Sequence, residues 1–336
     1  MIKIAINGLG RMGKLAIRSF FDLGLEAEIV LLNDGAGDAE LHAHLLEFDT
    51  VHGRWRADFG HDADSITIDG HKMRFTSTRD LAELPLQELG VDLVVDCTGA
   101  FKSNARLQPY FDAGVKKVVV SAPVKDDGVA NIVYGVNDDI YDANQHKVIT
   151  AASCTTNCIA PVVKVINEHL GIEQASFTTI HDVTNTQTIV DRVHKDARRA
   201  RSALNSLIPT TTGSAKAIIQ IFPELEGRID GHAVRVPLLN ASLTDIVFDV
   251  ARDTTPQEVN ALFEEASNGV LEGILGYETR PLVSCDFTND DRSTIIDALS
   301  TRVVNGRHVK IYAWYDNEWG YAFRLADVTR MVIASL

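Results

Sequence analysis

The chain has 336 residues, of which 45% are hydrophobic and 23% charged, and its formal net charge is −14. This length allows two domains with separate cores, and the acidic balance argues against nucleic-acid or anionic-membrane partners. Four irregularly spaced cysteines match neither a disulfide framework nor a zinc site. The chain opens directly on a strand-like segment and no stretch could span a membrane, so we expect a cytoplasmic location.

The beginning of the chain has the pattern of a dinucleotide-binding strand, loop and helix. Residues 2–6 are typical of a buried strand, Gly8, Gly10 and Gly13 form a G-x-G-x-x-G loop, and residues 14–23 have helical periodicity. In such a loop Gly8 permits the tight turn, Gly10 lets the backbone approach a pyrophosphate, and Gly13 lets the helix pack against the strand. The pyrophosphate would lie at the helix N-terminus.

A second predicted strand, residues 28–32, leads to Asp34, which lies 21 residues after Gly13. At that distance an acidic side chain would accept hydrogen bonds from the adenosine ribose and repel a 2′-phosphate, which favours NAD over NADP. Ser121 follows another strand, where ligands bind in such sheets, and we expect Ser121 and Arg79 to contact the cofactor. Solvated loop positions are the alternative for both residues.

Further strands are predicted at residues 92–96, 117–120 and 132–134, with helical stretches between several of them. This alternation is typical of an α/β fold with a doubly wound parallel sheet, the Rossmann type. We therefore expect residues 1–152 to form an NAD-binding domain. A helical C-terminal segment, residues 320–336, is expected to pack back on it.

The second half, residues 153–319, predicts an α+β catalytic domain with a mainly antiparallel sheet. Its long strand-like segments are residues 176–181, 231–236, 242–251 and 310–314.

Cys154 lies where an apolar run ends and the helical pattern of residues 159–166 begins. A helix start presents unpaired N–H groups and a partial positive charge, which favour the thiolate form that acts as a nucleophile. A small buried hydrophobe is the alternative on position alone, and it is our expectation for Cys97 and Cys285.

His181 ends a predicted strand, where a structural or solvated histidine is the alternative to an imidazole partner for a nucleophile. Polar and cationic residues cluster after it: Thr184, residues 198–201, residues 210–213 and Arg235. Hydroxyls, backbone N–H groups and guanidinium groups suit phosphate oxygens, so we expect a small phosphorylated substrate. For the run RRAR a solvated helix face is the alternative.

A series of stretches then matches one family in order: INGLGRMGK, EFDTVHGRW, SAPVKDDG, ASCTTNC, TTIH, RRAR, IPTTTGSAKA, VRVP and WYDNEWGY. On these residues the chain resembles phosphorylating glyceraldehyde-3-phosphate dehydrogenase, a glycolytic family, along essentially its whole length. The resemblance implies NAD as cofactor, a phosphorylated aldehyde and inorganic phosphate as substrates, and a homotetramer.

The resemblance also implies residue roles. Cys154 would be the nucleophile, and His181 would activate it and move protons. Inorganic phosphate would be surrounded by Ser153, Thr155, Thr212 and Gly213. The substrate phosphate and the phosphate route would be held by Thr184, Arg199 and Arg235. NAD would be contacted by Arg11, Met12, Asp34, Arg79, Ser121 and Asn317, the last at the nicotinamide amide.

The chain departs from the usual family pattern at several positions. After His181 it has Asp182-Val183-Thr184-Asn185-Thr186-Gln187, where Ser-Tyr-Thr-Asn-Asp-Gln is common. Arg192-Val193 replaces a leucine-proline pair of strictly NAD-dependent members, which leaves NADP use open. The stretches HDVTNTQT and VPLLNASLTD resemble a bacterial subgroup associated with arsenic-resistance operons, which implies arsenate as an acyl acceptor in place of phosphate.

Two other functions stay open from the sequence. Erythrose-4-phosphate dehydrogenase shares the nucleophile and the fold, although the threonine-glycine turn at residues 210–213 favours a true phosphate acceptor site. A non-catalytic NAD-binding redox sensor could use the same thiol, with Cys158 one helical turn from Cys154.

Overall fold

The computed structural model describes all 336 residues, and the chain divides into two compact units. The first unit comprises Met1–Ser153 and Ala322–Leu336, and the second comprises Cys154–Tyr321. None of the helices combines the length and the apolar character needed to cross a membrane.

The first unit is built on a nine-stranded sheet in the order β3-β4-β5-β2-β1-β6-β7-β9-β8. Its strands are β1 Ile2–Asn7, β2 Ala27–Asn33, β3 Phe59–Asp62, β4 Ser65–Ile68, β5 His71–Thr76, β6 Leu93–Asp96, β7 Lys117–Val120, β8 Val129–Asn131 and β9 Val148–Thr150. Its helices are α1 Arg11–Asp22, α2 Ala39–Glu47, α3 Leu86–Leu89 and α4 Asn104–Asp112. All neighbours from β5 to β8 are parallel, which confirms the doubly wound sheet.

One predicted strand of this sheet is displaced. The strand expected at residues 132–134 lies instead at Val129–Asn131, where it pairs with β9. The backbone N–H of Val133 donates to the side-chain oxygen of Asn137 at 2.7 Å, so it is not free for a strand neighbour. The apolar pattern predicted burial correctly, because Ile132 and Val133 are fully buried. It did not predict the strand pairing correctly.

A buried polar chain joins the carboxyl ends of three adjacent strands. Asn33 at the end of β2 donates to Asn7 Oδ1 at 2.7 Å, and Asn7 donates to the hydroxyl of Tyr110 at 2.5 Å. Tyr110 donates in turn to Asp96 Oδ2 at 2.7 Å, at the end of β6. Burial raises the pKa of Asp96, and the hydrogen bonds that its carboxyl accepts oppose this. This series of hydrogen bonds fixes the strand ends at which ligands bind in such sheets.

The second unit contains an eight-stranded mixed sheet in the order β11-β12-β10-β13-β17-β15-β14, with β16 paired to β17. Its strands are β10 Ile172–His181, β11 Ile208–Thr211, β12 Ile229–Arg235, β13 Ser242–Val250, β14 Leu275–Glu278, β15 Thr294–Asp297, β16 Arg302–Val304 and β17 His308–Tyr315. Its helices are α5 Cys154–Leu170, α6 Ser214–Ile221 and α7 Pro256–Ser267, and α8 Trp319–Ile333 continues into the first unit. The pairs β10–β12 and β14–β15 are parallel, and the other pairs are antiparallel as expected.

Five short 3-10 helices complete the structure at Leu81–Glu83, Asp138–Ile140, Pro223–Leu225, Ser284–Phe287 and Ala298–Ser300. The fourth of them corrects the expectation for Cys285, which is exposed and not buried in a strand. Phe287 is the residue that this turn buries. Cys97, directly after β6, is half-buried.

Candidate active site

Cys154 is the first residue of α5, as the sequence predicts. Between the end of β9 and the helix, Ala152 takes a left-handed conformation with φ of +52°, which is strained for a residue with a Cβ. The strained turn places Cys154 in the first turn of a 17-residue helix. The partial positive charge of a helix start favours a thiolate there.

The thiol of Cys154 faces an imidazole. Its Sγ lies 3.7 Å from Nε2 of His181 and 4.0 Å from Oγ1 of Thr155. Burial raises the pKa of Cys154, but the hydrogen bond from His181 and the positive charges of His181 and Arg235 outweigh it, and the pKa is lowered. The pair is therefore arranged to hold a thiolate beside an imidazolium.

His181 ends β10 and is buried, with three polar atoms around its second ring nitrogen. Nδ1 lies 2.7 Å from Oδ1 of Asp182, 2.9 Å from the Asp182 carbonyl oxygen and 2.6 Å from Nη1 of Arg235. Arg235 stands there because β12 pairs with β10 in parallel, with Arg235 opposite His181. Burial lowers the pKa of His181, yet the contacts with Asp182 and Cys154 raise it to about 9.

Tyr315, at the end of β17, supports both catalytic candidates. Its ring packs edge-on against the His181 imidazole, with centroids 6.0 Å apart. Its buried hydroxyl lies 3.0 Å from Oγ1 of Thr155 and 2.8 Å from Oγ1 of Thr179. Burial and the adjacent Cys154 keep the pKa of Tyr315 well above its usual value, so the hydroxyl stays protonated. Tyr315 thereby ties the first turn of α5 to the sheet that carries His181.

The other cysteines differ from Cys154 in environment. Cys158 is fully buried, with its Sγ 3.5 Å from the Thr294 hydroxyl and 3.6 Å from that of Thr244. Burial raises the pKa of Cys158 to about 12 and that of Cys97 to about 12. Neither thiol is ionised near neutral pH.

Two arginines approach each other on the β11 side of the sheet. Nε of Arg199 donates to Oγ1 of Thr210 at 2.8 Å, and its Nη2 donates to the Thr211 carbonyl at 3.4 Å. β11 pairs with β12 so that Ile208 stands opposite Arg235. Burial lowers the pKa of Arg235, and the charge of Arg199 adds to that shift. The predicted residues Arg199 and Arg235 are thus brought together.

The threonine-glycine turn leads into α6. Gly213 precedes the helix, and a Cβ at Gly213 would meet no atom within 4 Å. Thr212 Oγ1 accepts from the Ser214 backbone N–H at 3.2 Å. The helix start is therefore open on the Gly213 side, as an oxyanion site requires.

The other three predicted phosphate contacts differ in how their polar groups are engaged. The hydrogen bonds of Thr184 stay within its own loop, to Thr186 and Gln187, so they do not join it to the arginines. The Thr155 hydroxyl is engaged with that of Tyr315, 3.0 Å away. Ser153 is half-buried and precedes α5. The RRAR run lies in turns and not on a helix face.

In the first unit, a cleft of about 480 Å³ opens at the carboxyl ends of β1, β2 and β6. Its lining includes four of the residues predicted for NAD, which are Gly8, Gly10, Asp34 and Arg79. The Asp34 carboxylate accepts from the backbone N–H groups of Leu9 at 2.7 Å and Ala36 at 3.0 Å. Nε of Arg79 donates to the Gly35 carbonyl at 3.2 Å.

The three glycines of the loop differ in the space around them. Gly8 has a φ of +94°, and its Cβ would lie 2.6 Å from the Thr98 nitrogen. A Cβ on Gly13 would lie 1.9 Å from the Gly8 oxygen, whereas a Cβ on Gly10 would meet nothing within 4 Å. Gly8 and Gly13 therefore shape the turn, and Gly10 leaves open space at the start of α1, which no side chain caps. These features fit a dinucleotide pyrophosphate.

The lining of this cleft does not include the other residues predicted for NAD. The Arg11 guanidinium is paired with the carboxylate of Asp49, so its side chain is already engaged. Met12 is half-buried in α1, and Ser121 directly follows β7. Asn317 belongs to the second unit, where its Oδ1 accepts from the Ser242 hydroxyl at 3.0 Å.

Asp182 and Tyr315 both contact His181, and neither is among the residues predicted from the sequence to have a role. Consecutive residues of a strand point to opposite faces, so a contact between neighbours 181 and 182 is not expected from the pattern. Because β10 ends at His181, Asp182 lies outside the strand and its side chain need not point to the opposite face. The signal available was the acidic residue itself, in a position where serine is common in the family.

The structure contains no group of three or more His, Cys, Asp and Glu side chains able to hold a metal ion.

Comparison with known proteins gives matches over both units. A family model described as glyceraldehyde 3-phosphate dehydrogenase, NAD binding domain, matches residues 2–104, and the corresponding C-terminal domain model matches residues 153–317. Glyceraldehyde-3-phosphate dehydrogenase 3 of Nostoc sp. is 56% identical over 336 residues, covering 100% of this chain and 99% of the relative. Glyceraldehyde-3-phosphate dehydrogenase 2 of Streptomyces avermitilis is 47% identical, covering 98% of each chain. Glyceraldehyde-3-phosphate dehydrogenase 2 of Bacillus subtilis is 44% identical, covering 100% of this chain and 98% of the relative.

The environment of Cys154 predicts selective alkylation. In a Cys285→Ser background, which removes the exposed thiol, iodoacetamide at pH 7 should modify Cys154 and leave Cys97 and Cys158 intact. Adding His181→Asn should slow that reaction about tenfold, because the thiolate loses its hydrogen bond and an adjacent positive charge. Mass spectrometry of timed digests measures both effects. Equal rates with and without His181 would contradict the ion pair.

The open space at Gly10 predicts a separation of cofactor binding from stability. Gly10→Val should weaken NAD binding about tenfold or more, because its side chain fills the space where the pyrophosphate would approach, with little change in the unfolding free energy. Gly13→Ala should instead destabilise the fold by about 1–3 kcal/mol, because its Cβ collides with the Gly8 carbonyl. Isothermal titration with NAD and denaturant unfolding distinguish the two. A Gly10→Val protein that binds NAD normally would exclude this position for the pyrophosphate.

Proposed function

Since the chain belongs to the glyceraldehyde-3-phosphate dehydrogenase family, we propose that it oxidises D-glyceraldehyde 3-phosphate to 1,3-bisphosphoglycerate through a cysteine thioester. The observation that carries this proposal is the pairing of Cys154 Sγ with His181 Nε2 at 3.7 Å, at a helix start. The two arginines and the open start of α6, in the same unit, suit phosphate oxygens.

In the first step the Cys154 thiolate forms a bond to the aldehyde carbon, and the carbonyl electrons move to oxygen. The His181 imidazolium gives its Nε2 proton to that oxygen, so that a hemithioacetal and a neutral imidazole result. The backbone N–H groups at the start of α5 are suited to stabilise the oxyanion while it exists.

In the second step His181 Nε2 takes the hydroxyl proton back as a hydride leaves the same carbon. The carbonyl re-forms, and the product is a thioester on Cys154. NAD, when bound, would supply the two-electron acceptor for that hydride. For this cofactor we assign the contacts to Gly8, Gly10, Arg11, Met12, Gly13, Asp34, Arg79, Ser121 and Asn317.

In the third step an oxygen of inorganic phosphate attacks the thioester carbonyl, the carbon–sulfur bond breaks and the thiolate leaves. Ser153, Thr155, Thr212 and Gly213 would surround the attacking phosphate. Thr184, Arg199 and Arg235 would hold the phosphate of the substrate. The lowering of the Cys154 pKa also serves here, because a stabilised thiolate is the better leaving group.

Arsenate shares the shape and charge of phosphate and is a candidate acyl acceptor. It would give 1-arseno-3-phosphoglycerate by the same attack. The stretches around Asp182 and Leu238, which resemble the arsenic-associated subgroup, motivate this part of the proposal. Arsenate-inducible expression, or an arsenate-sensitive deletion strain, would support it, and absence of both would remove it.

Removing the nucleophile tests the proposal. Cys154→Ser should lower NADH formation from glyceraldehyde 3-phosphate and phosphate by at least about a thousandfold, while NAD binding stays within about twofold. Cys285→Ser is the control, because this thiol is exposed and has no part in the proposed mechanism. Turnover by the Cys154→Ser protein, or none by the wild type, would contradict the mechanism. The same assay with erythrose 4-phosphate decides between the two aldehydes as substrate. A wild-type protein that is inactive on both aldehydes but still binds NAD would favour the redox-sensor function.

A cytoplasmic homotetramer with a preference for NAD completes the proposal. Five apolar side chains are more than two-thirds exposed in one segment and would suit a subunit contact: Ile189, Val190, Val193, Leu204 and Leu207. Asp34 would disfavour a 2′-phosphate, although the exposed Arg192 could accommodate one. Light scattering should give about four times the mass of the chain, and kcat/KM should be higher with NAD than with NADP. A monomer or equal efficiencies would overturn the respective part.

A further inference from the structure

We propose that Asp182 is a positioning residue that places the proton of neutral His181 on Nδ1 and stabilises its imidazolium form. This inference rests on the proposed function for its biological meaning. Its geometry is independent of the substrate. Serine is common at this position in the family, and Asp182 departs from that pattern.

The contact is short and buried. Oδ1 of Asp182 lies 2.7 Å from Nδ1 of His181, and the two side chains are 1% and 4% exposed. The Asp182 backbone N–H donates to the Ser242 hydroxyl at 3.2 Å, which holds the residue where it leaves β10. A buried charge–imidazole contact of this kind is screened little by solvent.

Arg235 makes the carboxylate necessary. Its Nη1 lies 2.6 Å from the same Nδ1, and a guanidinium can only donate. With Arg235 alone, a neutral imidazole would accept through Nδ1 and carry its proton on Nε2, the nitrogen that faces Cys154. That tautomer cannot take a proton from the thiol or from a hemithioacetal hydroxyl.

Asp182 reverses this preference. When Nδ1 carries the proton it donates to Oδ1, and Arg235 Nη1 donates to the Asp182 carbonyl oxygen, 3.0 Å away. The Nδ1–H of His181 and Nη1 of Arg235 then each have an acceptor, and Nε2 presents its lone pair to Cys154. Asp182 thereby supplies both acceptors, its carboxylate for the imidazole and its backbone carbonyl oxygen for the guanidinium.

The titratable and charged groups around the imidazole come from several elements. Cys154 faces it from α5, Arg235 from β12 and Tyr315 from β17, while Glu318 acts on Asp182 through its charge. Of these, Arg235 disfavours the imidazolium, whereas the thiolate and Asp182 favour it. Burial raises the pKa of Asp182, and the charge and hydrogen bond of His181 oppose that rise.

The carboxylate also reaches toward a predicted cofactor contact. The Ser242 hydroxyl lies 3.4 Å from Asp182 Oδ1 and 3.0 Å from Asn317 Oδ1. Asp182 thus joins the proton-transfer group to Asn317 within one buried network, in addition to its direct contact with His181.

Removing the negative charge should move both limbs of the pH profile in the same direction. Asp182 raises the pKa of Cys154 by repelling the thiolate and raises that of His181 by attracting the imidazolium. Without it, the pH range in which thiolate and imidazolium coexist shifts to lower pH by about one unit. A residue with only a packing role would not move these limbs.

The experiment compares Asp182→Asn and Asp182→Ser with a charge-matched control, Asp230→Asn, at an exposed position of β12. The rate of Cys154 alkylation by iodoacetamide is followed between about pH 4 and pH 10, and kcat/KM is measured over the same range. Both Asp182 variants should shift the limbs down by about one unit, and the control should overlay the wild type. Unshifted limbs in both Asp182 variants, or a uniform loss at every pH with a lowered Tm, would overturn the assignment.

A measurement on the wild type covers the case in which both variants fail to fold. Nitrogen-15 NMR of labelled histidine, with the His181→Asn spectrum as the difference, should show the Nδ1–H tautomer for His181 at about pH 10. A proton on Nε2 there would refute the proposal. The alkylation and NMR readouts need no aldehyde, so they decide the role of Asp182 even if the wild type proves inactive on glyceraldehyde 3-phosphate.

Discussion

A positively charged imidazole can be buried beside a guanidinium only if negative charge compensates both, and this constraint organises the second unit. The parallel register of β10 and β12 sets His181 opposite Arg235. Two groups provide the compensating negative charge: the Cys154 thiolate faces Nε2 of His181, and the Asp182 carboxylate contacts Nδ1. The altered pKa values of thiol and imidazole are both consequences of this compensation.

The first unit solves a different problem, which is one of space. Its loop must turn sharply, admit a helix against a strand and leave room for a ligand. Gly8 and Gly13 meet the first two needs by contacts that allow no Cβ, and Gly10 meets the third by facing open space. The polar chain from Asn33 to Asp96 fixes the strand ends around this loop. Charge therefore determines the reactivity of Cys154 and His181 in the second unit, and shape determines what the glycine loop of the first unit can bind.

The sequence predicts those features that depend on neighbours along the chain. The glycine loop and the position of Cys154 at a helix start are local patterns, and the structure has both. The parallel pairing of β10 with β12 joins segments about 50 residues apart, and no local pattern carries that information. The contact of Asp182 with His181 depended on where a strand ends, and element boundaries are the least certain part of such predictions.

Apolar character misled the prediction in two other places. Residues 132–134 are buried without being a strand, because a side-chain oxygen takes a backbone N–H that a ladder would have used. Cys285 was expected in a buried strand, but its segment forms a short 3-10 turn whose buried residue is Phe287. In both cases hydrophobicity reported on burial of the neighbourhood, while hydrogen bonding determined the local conformation.

The buried hydroxyl of Tyr315 has a consequence for the entropy of the reaction. It bonds Thr155, next to the nucleophile, and Thr179, two residues before His181 in β10. The sulfur and the imidazole therefore lose their relative freedom when the protein folds, and not when an aldehyde arrives. Substrate binding then has to order only the substrate, so less of its binding free energy is consumed in assembling the reacting groups.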